Sequence, residues 1–180
     1  MPTSSVSRST AARVSEADRR IRPAGEADWA RIWPIFSAIV AAGETYAYPD
    51  DLTSEQARGL WLEPPPGLTV VLEDDGRVLG TAKMGPNRPG RGDHVGTASF
   101  MVDPAASRRG VGRALASYVV DWHRRQGFAG IQFNAVVETN SAAVHLWRSL
   151  GFVVVGTVPG AFRSAAHGPV GLHVMYLDLG

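Results

Sequence analysis

The 180-residue chain contains no cysteine. This absence excludes a disulfide scaffold, a cysteine-ligated metal site and a thiol nucleophile. Long hydrophobic runs are missing too, because the most apolar stretch, Ile32 to Ala42, is far shorter than the roughly 20 residues that a transmembrane helix needs. We therefore expect a protein that does not span a membrane, of a length that suits one domain with a sizeable core.

Lysine is almost absent as well, since Lys83 is the only one among 18 basic residues. The formal net charge of +1 conceals a division of charge along the chain. Residues 44–75 contain eight acidic residues and one arginine, whereas residues 76–125 contain nine basic residues and three acidic ones. This division indicates two ligands of opposite charge. We expect no nucleic-acid partner, because the sequence contains no nucleic-acid-binding motif.

The first 18 residues differ in composition from the remainder of the chain. They are rich in Ser, Thr and Ala and contain no apolar segment of the kind that a secretory signal requires. We expect residues 1–18 to form a disordered extension and residues 19–180 to form a single domain. Without a targeting segment, the expected compartment is the cytoplasm.

Hydrophobic periodicity predicts seven strands and four helices in the order β-α-α-β-β-β-α-β-α-β-β. This order is typical of an α/β (α+β) fold with a mixed, largely antiparallel sheet and helices on both faces. The predicted helices cover residues 29–43, which include Pro34 as a kink or restart, residues 54–62, residues 109–126 and residues 140–150. The predicted strands cover residues 20–22, 68–72, 78–84, 94–102, 131–137, 152–158 and 172–179.

One loop carries the features of an anion site. After the strand that ends at Val102, the chain reads Ser107-Arg108-Arg109-Gly110-Val111-Gly112-Arg113-Ala114-Leu115 and opens a helix. The glycines let a ligand approach the backbone, and the first N–H groups of a helix have no intrahelical partner. Helix dipole and arginines together favour a pyrophosphate. The loop is neither a Walker loop nor a dinucleotide fingerprint, and the alternative is a glycine-rich helix start with solvated arginines.

This loop resembles the acetyl-CoA motif of the GNAT (Gcn5-related) N-acetyltransferases, Gln/Arg-x-x-Gly-x-Gly/Ala, with Ser107 in the first position. A second family motif is present as Asn140-Ser141-Ala142-Ala143-Val144-His145-Leu146-Trp147-Arg148-Ser149-Leu150-Gly151-Phe152. The resemblance covers about residues 20–179 and implies a sheet of six to seven strands whose two central strands splay apart. It implies acetyl-CoA as co-substrate and no metal. The implied cofactor-binding residues are Phe100, Met101, Val102, Arg108, Arg109, Gly110, Val111, Gly112, Arg113, Ala114, Asn140, Ala143 and Trp147.

The same resemblance implies a mechanism. An amine attacks the acetyl group directly, and the backbone N–H of Val102 polarises the thioester carbonyl. Many family members use a tyrosine as general acid at the position of Trp147, whose indole N–H is too weak an acid. Trp147 therefore packs on the cofactor or in the core, and another group or none serves the thiolate. Glu138 is the first candidate for the base, and Asp103 and His94 are weaker ones. We expect His123 and His145 to lie on helix surfaces.

Asn134 stands alone in the apolar strand Ile131–Val137, where an amide needs hydrogen-bond partners. It serves either a structural network or a small polar substrate. The segments Ala42–Pro49, Pro86–Gly92, Gln132–Asn134 and Gly156–Arg163 resemble the L-azetidine-2-carboxylate N-acetyltransferases of the same superfamily. Asn134 and Asn140 match two of their binding asparagines, and Thr97 replaces a third. The resemblance implies an acceptor pocket beneath the loop between the first two helices, with Glu44, Thr45, Tyr46, Tyr48 and Asn134 as substrate-binding residues.

The sequence is thus interpreted as an acetyl-CoA-dependent N-acetyltransferase that acts on a small amino or imino acid or a related amine. Two alternatives remain at this stage, a peptide or protein N-acetyltransferase and a weakly active acyl-CoA-binding sensor. The apolar segment Val153 to Val158 could pair with a second copy, which predicts a homodimer by analogy with related folds.

Overall fold

A twisted sheet forms the centre of the computed structural model, which describes residues 19–180. These residues form seven strands and four α-helices, and the sheet order is β1-β2-β3-β4-β5-β7-β6. The expected fold class is confirmed. The strands are β1 Arg20–Pro23, β2 Leu68–Asp74, β3 Arg77–Pro86, β4 Val95–Val102, β5 Gly130–Val137, β6 Val153–Ser164 and β7 Gly168–Asp178. The helices are α1 Trp29–Ala41, α2 Ser54–Trp61, α3 Val111–Gln126 and α4 Ser141–Ser149. The predicted extension at residues 1–18 lies outside the described residues.

The two central strands diverge, and this divergence creates the site. All neighbouring strands are antiparallel except β4 and β5, which run parallel. Within the described chain, β4 and β5 pair only at Val95 with Gly130 and at Gly96 with Ile131. Beyond these residues the ladder stops, so the carboxyl ends of the two strands are separated by a gap. Backbone groups that line this gap need other partners.

Helices cover both faces of the sheet. On one face, α1 and α2 pack over Val71, Val78 and Met101. On the other face, α3 packs over Val70, Leu72 and Leu79, and α4 packs over β5 and β7. Successive strand residues point to opposite faces, which is why Val70 and Val71 belong to different clusters. The sheet is therefore a two-sided core from which the central gap opens.

Three details differ from the sequence-based expectation. The α1 helix continues through Pro34 to Ala41, so Pro34 does not divide it. The α3 helix begins at Val111 instead of Arg109, because Gly110 adopts the left-handed conformation that precedes it. The last two strands are longer than predicted and form a hairpin from Val153 to Asp178. Their extension is rich in Gly and Pro, and Phe162 and Val170 are its only buried large apolar residues, so hydrophobic alternation does not mark it.

The hairpin leaves β6 at one edge of the sheet. Three of its side chains, Val153, Val155 and Val158, are 55–66% exposed. An apolar edge strand is a surface on which another strand can add. The homodimer stays a prediction. Among the helices of residues 19–180, none has the length and apolar character needed to cross a bilayer.

Candidate active site

A cleft of about 650 Å³ occupies the gap between β4 and β5. The α1–α2 loop covers one side of it, and α4 and the first turn of α3 form the other. Many of the predicted site residues line this cleft. They are Glu44, Thr45, Tyr46, Tyr48, Phe100, Val102, Gly112, Asn134, Asn140, Ala143 and Trp147.

The glycine-containing loop forms a backbone cradle at one end of the cleft. Arg108 and Gly110 have φ angles of 61° and 76°, and α3 starts directly after Gly110. Left-handed residues alternating with right-handed ones turn successive N–H groups toward one point, and the helix N-terminus adds its positive dipole. Ser107 and Gly112 from this loop line the cleft. The cradle therefore suits a pyrophosphate.

The three arginines of this loop have different partners. The Arg109 guanidinium lies 3.1 Å from Asp74 Oδ2, and Arg19 donates to the Arg109 carbonyl at 2.9 Å. Arg113 donates to Ser149 Oγ on α4 at 2.9 Å. Arg108 is exposed and forms no ion pair within residues 19–180. Arg109 therefore fixes the loop to the β2–β3 turn, while Arg108 keeps its charge available to an anion.

Backbone groups of β4 face the gap at alternate residues. The Asp103 N–H bonds the Leu79 carbonyl on β3 at 2.9 Å, so the preceding Val102 N–H points away from β3 toward the cleft. Met101 does not reach the cleft, because it pairs with Thr81 and its side chain is 1% exposed beneath α1. Of the three consecutive β4 residues predicted to hold the cofactor, the structure brings Phe100 and Val102 to the site.

Other predicted cofactor contacts serve the helices themselves. Ala114 is exposed and its N–H bonds the Gly110 carbonyl, so it is an ordinary residue of the first turn of α3. Val111 is 1% exposed and packs in the core. Asn140 caps α4, since its Oδ1 accepts the Ala143 N–H at 3.1 Å. Asn140 both caps α4 and lines the cleft, because α4 begins at the cleft wall.

Trp147 belongs to an aromatic cluster in the cleft wall. Its ring centroid lies 4.8 Å from those of Phe100 and Phe133, and the residue is 7% exposed. Within the described chain its indole N–H donates no hydrogen bond. Trp147 therefore combines core packing with a place in the wall of the cleft.

Asn134 lies at a bulge of β5, where the register with β7 shifts between Phe133 and Val136. The bulge turns Asn134 out of the sheet. Its Nδ2 donates to Asn87 Oδ1 at 2.7 Å, and its Oδ1 accepts from Gln132 Nε2 at 2.8 Å. Arg88 Nη1 donates to the Asn87 carbonyl at 3.0 Å and reaches Asn87 Oδ1 at 3.4 Å.

A second cavity of about 690 Å³ adjoins the cleft and shares Tyr48, Thr97, Ala98, Ser99 and Asn134 with it. Two cations line this second cavity. Lys83 is paired with Glu63 at 2.8 Å, whereas Arg88 has no ion pair within residues 19–180. The stem of Arg88 packs on Gly92, where a Cβ would come within 2.8 Å of the Arg88 Cβ. Sequence reasoning missed Asn87 and Arg88 as site residues, although both lie in the quoted segment Pro86–Gly92.

The predicted acids and bases lie mostly away from the cleft. The Glu138 carboxylate accepts the Gly171 N–H, and Glu138 does not line either cavity. Asp103 accepts the Ala105 N–H and pairs with Arg77 at 2.7 Å. His94 is exposed outside both cavities. The described chain therefore places no free general base in the cleft wall.

His123 corrects an expectation, because it is buried and not on the surface. It is 0% exposed, and its Nδ1 lies 2.8 Å from the Val119 carbonyl. Burial lowers the pKa of His123, so the imidazole is neutral. His123 lies on the inner face of α3. The sequence suggested an exposed position because the next two residues, Arg124 and Arg125, are charged. His145 is exposed, as expected.

A family model described as the acetyltransferase (GNAT) family matches residues 29–152, which is more than half of the chain. This chain belongs to the GNAT family. It is an acetyl-CoA-dependent N-acetyltransferase. The matched residues include both motifs and every strand from β2 to β5.

Solved GNAT structures support the fold. A GCN5-related N-acetyltransferase from Kribbella flavida shares 59% identity with a TM-score of 0.89, over 92% of this chain and 100% of that one. The structure of yncA from Salmonella typhimurium with its cofactor acetyl-CoA shares 28% identity with a TM-score of 0.76, over 90% and 94% of the chains. The L-methionine sulfoximine/L-methionine sulfone acetyltransferase of the same organism is 33% identical over 77% of this chain and 82% of its own.

The GNAT cradle in this chain fits acetyl-CoA on its own geometry. A Cβ at Gly110 would meet nothing within 4 Å, but φ of 76° disfavours other residues there. The first-turn N–H groups of α3 and the Val102 N–H are donors along one wall of the cleft. Across residues 19–180, no cluster of three or more potential ligand side chains is arranged for a metal ion.

Proposed function

We propose that this GNAT enzyme acetylates the amine of a small amino or imino acid, of which L-azetidine-2-carboxylate is an example. The observation that supports this acceptor class is the hydrogen-bonded pair Asn87–Asn134, which stands where the cleft meets the second cavity. Neutral amides orient a polar molecule without demanding a charge. The relative that acts on L-methionine sulfone supports an amino-acid acceptor.

Acetyl-CoA would supply the activated acetyl group. The cradle around Gly110 and Gly112 would hold its pyrophosphate, with Arg108 adding charge. The Val102 N–H would stabilise the negative charge that develops on the thioester oxygen. Trp147 and Phe100 form an apolar wall at this end, which excludes water and strengthens the hydrogen bond.

Arg88 would hold the carboxylate of the acceptor. Its guanidinium is linked to Asn134 through Asn87, so a carboxylate on Arg88 would place an adjacent amine near the Asn134 amide. Lys83 is neutralised by Glu63 and is less suited to this role. Because no free base lines the cleft, the amine would lose its proton to water that enters through the second cavity.

The experiment is a survey of acceptors. Purified protein is mixed with acetyl-CoA and a series of amines, released thiol is followed by a colour reagent, and products are verified by mass. We expect turnover with small amino or imino acids such as L-methionine sulfone and L-azetidine-2-carboxylate. Turnover with peptides but not free amino acids would instead favour a peptide acetyltransferase. Absence of thiol release with every acceptor would contradict the proposal.

A further inference from the structure

The Tyr46 hydroxyl forms hydrogen bonds with both the carbonyl and the N–H of Phe100. It donates to the Phe100 carbonyl at 2.7 Å and accepts the Phe100 N–H at 2.9 Å. Phe100 lies on β4 beyond the last pair with β5, so a neighbouring strand no longer satisfies these groups. Unpaired backbone groups at a buried strand are costly. Tyr46 thus replaces β5 as the partner of β4 at this residue.

Two residues earlier, Glu44 joins the opposite side of the gap. Its carboxylate accepts the Ser164 hydroxyl at 2.6 Å and the Ala166 N–H at 2.8 Å, at the turn of the β6–β7 hairpin. The Gly43 carbonyl accepts the Ala165 N–H at 3.1 Å. Gly43 has a φ of 66°, and a Cβ there would lie 3.1 Å from the Ala165 Cβ.

These two attachments lie on different halves of the sheet. Tyr46 holds the half that ends with β4, and Glu44 holds the half that contains β5, β7 and β6. We propose that the segment Glu44–Tyr46 is a brace that fixes the separation of β4 and β5 at the cleft, so that Glu44 and Tyr46 are positioning residues and not ligands of the substrate. This inference rests on the proposed function for its kinetic consequences only.

The surroundings of Tyr46 make the brace rigid. Its ring stacks on Tyr48 with centroids 5.5 Å apart and meets Trp61 edge-on at 6.1 Å. Trp61 is 0% exposed and donates to Thr81 on β3. On the other side of Phe100 stands Trp147. The hydroxyl of Tyr46 therefore sets where Phe100, and through it the apolar wall, lies relative to Val102.

The Glu44 carboxylate is also held in place by the hairpin turn. Hydrogen bonds from Ser164 and the Ala166 N–H lower the pKa of its carboxyl, so it is ionised at neutral pH. Both carboxylate oxygens already accept a hydrogen bond at the hairpin turn. These two hydrogen bonds fix the orientation of the carboxylate relative to the hairpin. The acidic charge at Glu44 is used within the fold.

The test compares Tyr46→Phe, Glu44→Gln and the double variant with wild type, and uses Tyr118→Phe as control for loss of a hydroxyl outside the cleft. Tyr46→Phe removes both hydrogen bonds but keeps the ring. We expect kcat to fall by about 10- to 100-fold with an acetyl-CoA dissociation constant within about threefold of wild type, because misplacement affects reaction more than binding. Tyr118→Phe should match wild type.

The double variant separates a brace from two independent contacts. A brace released at either end is lost, so the double variant should be about as slow as the slower single variant. Multiplying effects, or a raised KM for the amine with unchanged kcat, would overturn the inference. Glu44→Gln changes no core residue, so it tests the brace even if Tyr46→Phe folds poorly.

A measurement on the resting protein keeps this test independent of turnover. Hydrogen exchange of the Phe100 amide should accelerate at least about tenfold in Tyr46→Phe and stay unchanged in Tyr118→Phe. If wild type acetylates no amine, the proposed function fails, whereas the brace is still judged by exchange at Phe100. Unchanged exchange would refute it.

Discussion

At the scale of single residues, the site depends on side chains whose hydrogen bonds are already partly used. Asn134 and Asn87 bond each other, Arg88 bonds Asn87, and Tyr46 bonds Phe100. A side chain can bind an anionic ligand when it has hydrogen-bond donors left over and no carboxylate already paired with it. By this criterion Arg88 is distinguished from Lys83 in the second cavity.

Arg88→Gln should raise the KM for an amino-acid acceptor by about 10-fold or more, because a charge-assisted hydrogen bond contributes about 1.5–3 kcal/mol. The carboxamide of the same amino acid lacks the negative charge and should lose little. Steady-state thiol release with both acceptors measures this difference.

Arg91→Gln is the matched control, since Arg91 lies on the same loop but outside the lining of both cavities. Equal losses with the carboxylate and the carboxamide in Arg88→Gln would show that Arg88 does not bind the carboxylate.

Trp147→Phe should retain kcat within about fivefold of wild type, because an indole N–H does not transfer protons at ordinary pH. A thiol with a pKa of about 8.5 leaves as thiolate without an acid. The measurement is kcat by thiol release, with stability followed by urea unfolding. A loss of 100-fold in a folded variant would mean that the indole N–H itself takes part in the reaction.

At the scale of elements, the gap depends on how β4 and β5 meet before they diverge. Gly96 and Gly130 lie at this junction. A Cβ on Gly96 would stand 2.2 Å from His123 Cδ2, and one on Gly130 would stand 2.1 Å from the Tyr176 hydroxyl. The rings of α3 and β7 thus pack directly on glycine backbone at the only paired part of the two strands described.

Gly96→Ala should destabilise the fold by about 1–3 kcal/mol or more, because His123 is fully buried and cannot move aside without cost. Gly59→Ala is the control, since no atom lies within 4 Å of a Cβ at that exposed position of α2. There alanine should stabilise by roughly 0.5–1 kcal/mol. Urea unfolding of both variants measures the difference, and equal free energies of unfolding would contradict this packing.

The local pattern of hydrophobic and turn residues predicted most helices and strands. It did not predict contacts between residues far apart in the sequence. Periodicity and turn residues gave the order of the strands and helices and the loop at Gly110. The partner of Glu44 is Ser164, which lies 120 residues away, and no local pattern indicates that contact. The bulge that turns Asn134 toward Asn87 is likewise set by register with β7. The burial of His123 was not predicted, because the adjacent Arg124 and Arg125 made this turn of α3 look exposed.

At the scale of the whole molecule, Glu73 and Asp74 at the end of β2 are neutralised mainly by arginines that come early in the described chain. Arg22 donates to both Asp28 oxygens at 2.8 Å and to Glu73 Oε2 at 2.6 Å, which joins β1, the turn before α1 and β2. Asp74 accepts from Arg19 and Arg109. Within residues 19–180 only the pairs Lys83–Glu63 and Arg109–Asp74 join the acidic part to the basic part, and Arg88 and Arg108 are among the arginines without an ion pair.

Arg22→Gln should lower the free energy of unfolding at pH 7. It should also make this free energy depend less on pH in the acidic range. Hydrogen bonds from Arg22 lower the pKa of both Asp28 and Glu73. Such carboxylates stabilise the fold above their ordinary pKa values of about 4, and this stability is lost as pH falls through the lowered values. Wild type should thus lose stability steeply below about pH 4.5, and Arg22→Gln less steeply.

Urea unfolding at several pH values tests this. Arg58→Gln is the control, because Arg58 pairs with the exposed Glu26 and Glu55, and such surface pairs contribute little. A parallel fall of stability in Arg22→Gln and wild type would contradict the assignment.

The central claim is that acetyl-CoA and a small amino acid meet in the gap between β4 and β5. The most direct measurement is a crystal structure with coenzyme A and L-azetidine-2-carboxylate bound. The account predicts the pyrophosphate on the Gly110 cradle, the carboxylate on Arg88 and the ring nitrogen beside Asn134, with Tyr46 still bonded to Phe100. An acceptor bound through Glu44, or outside the two cavities, would contradict it.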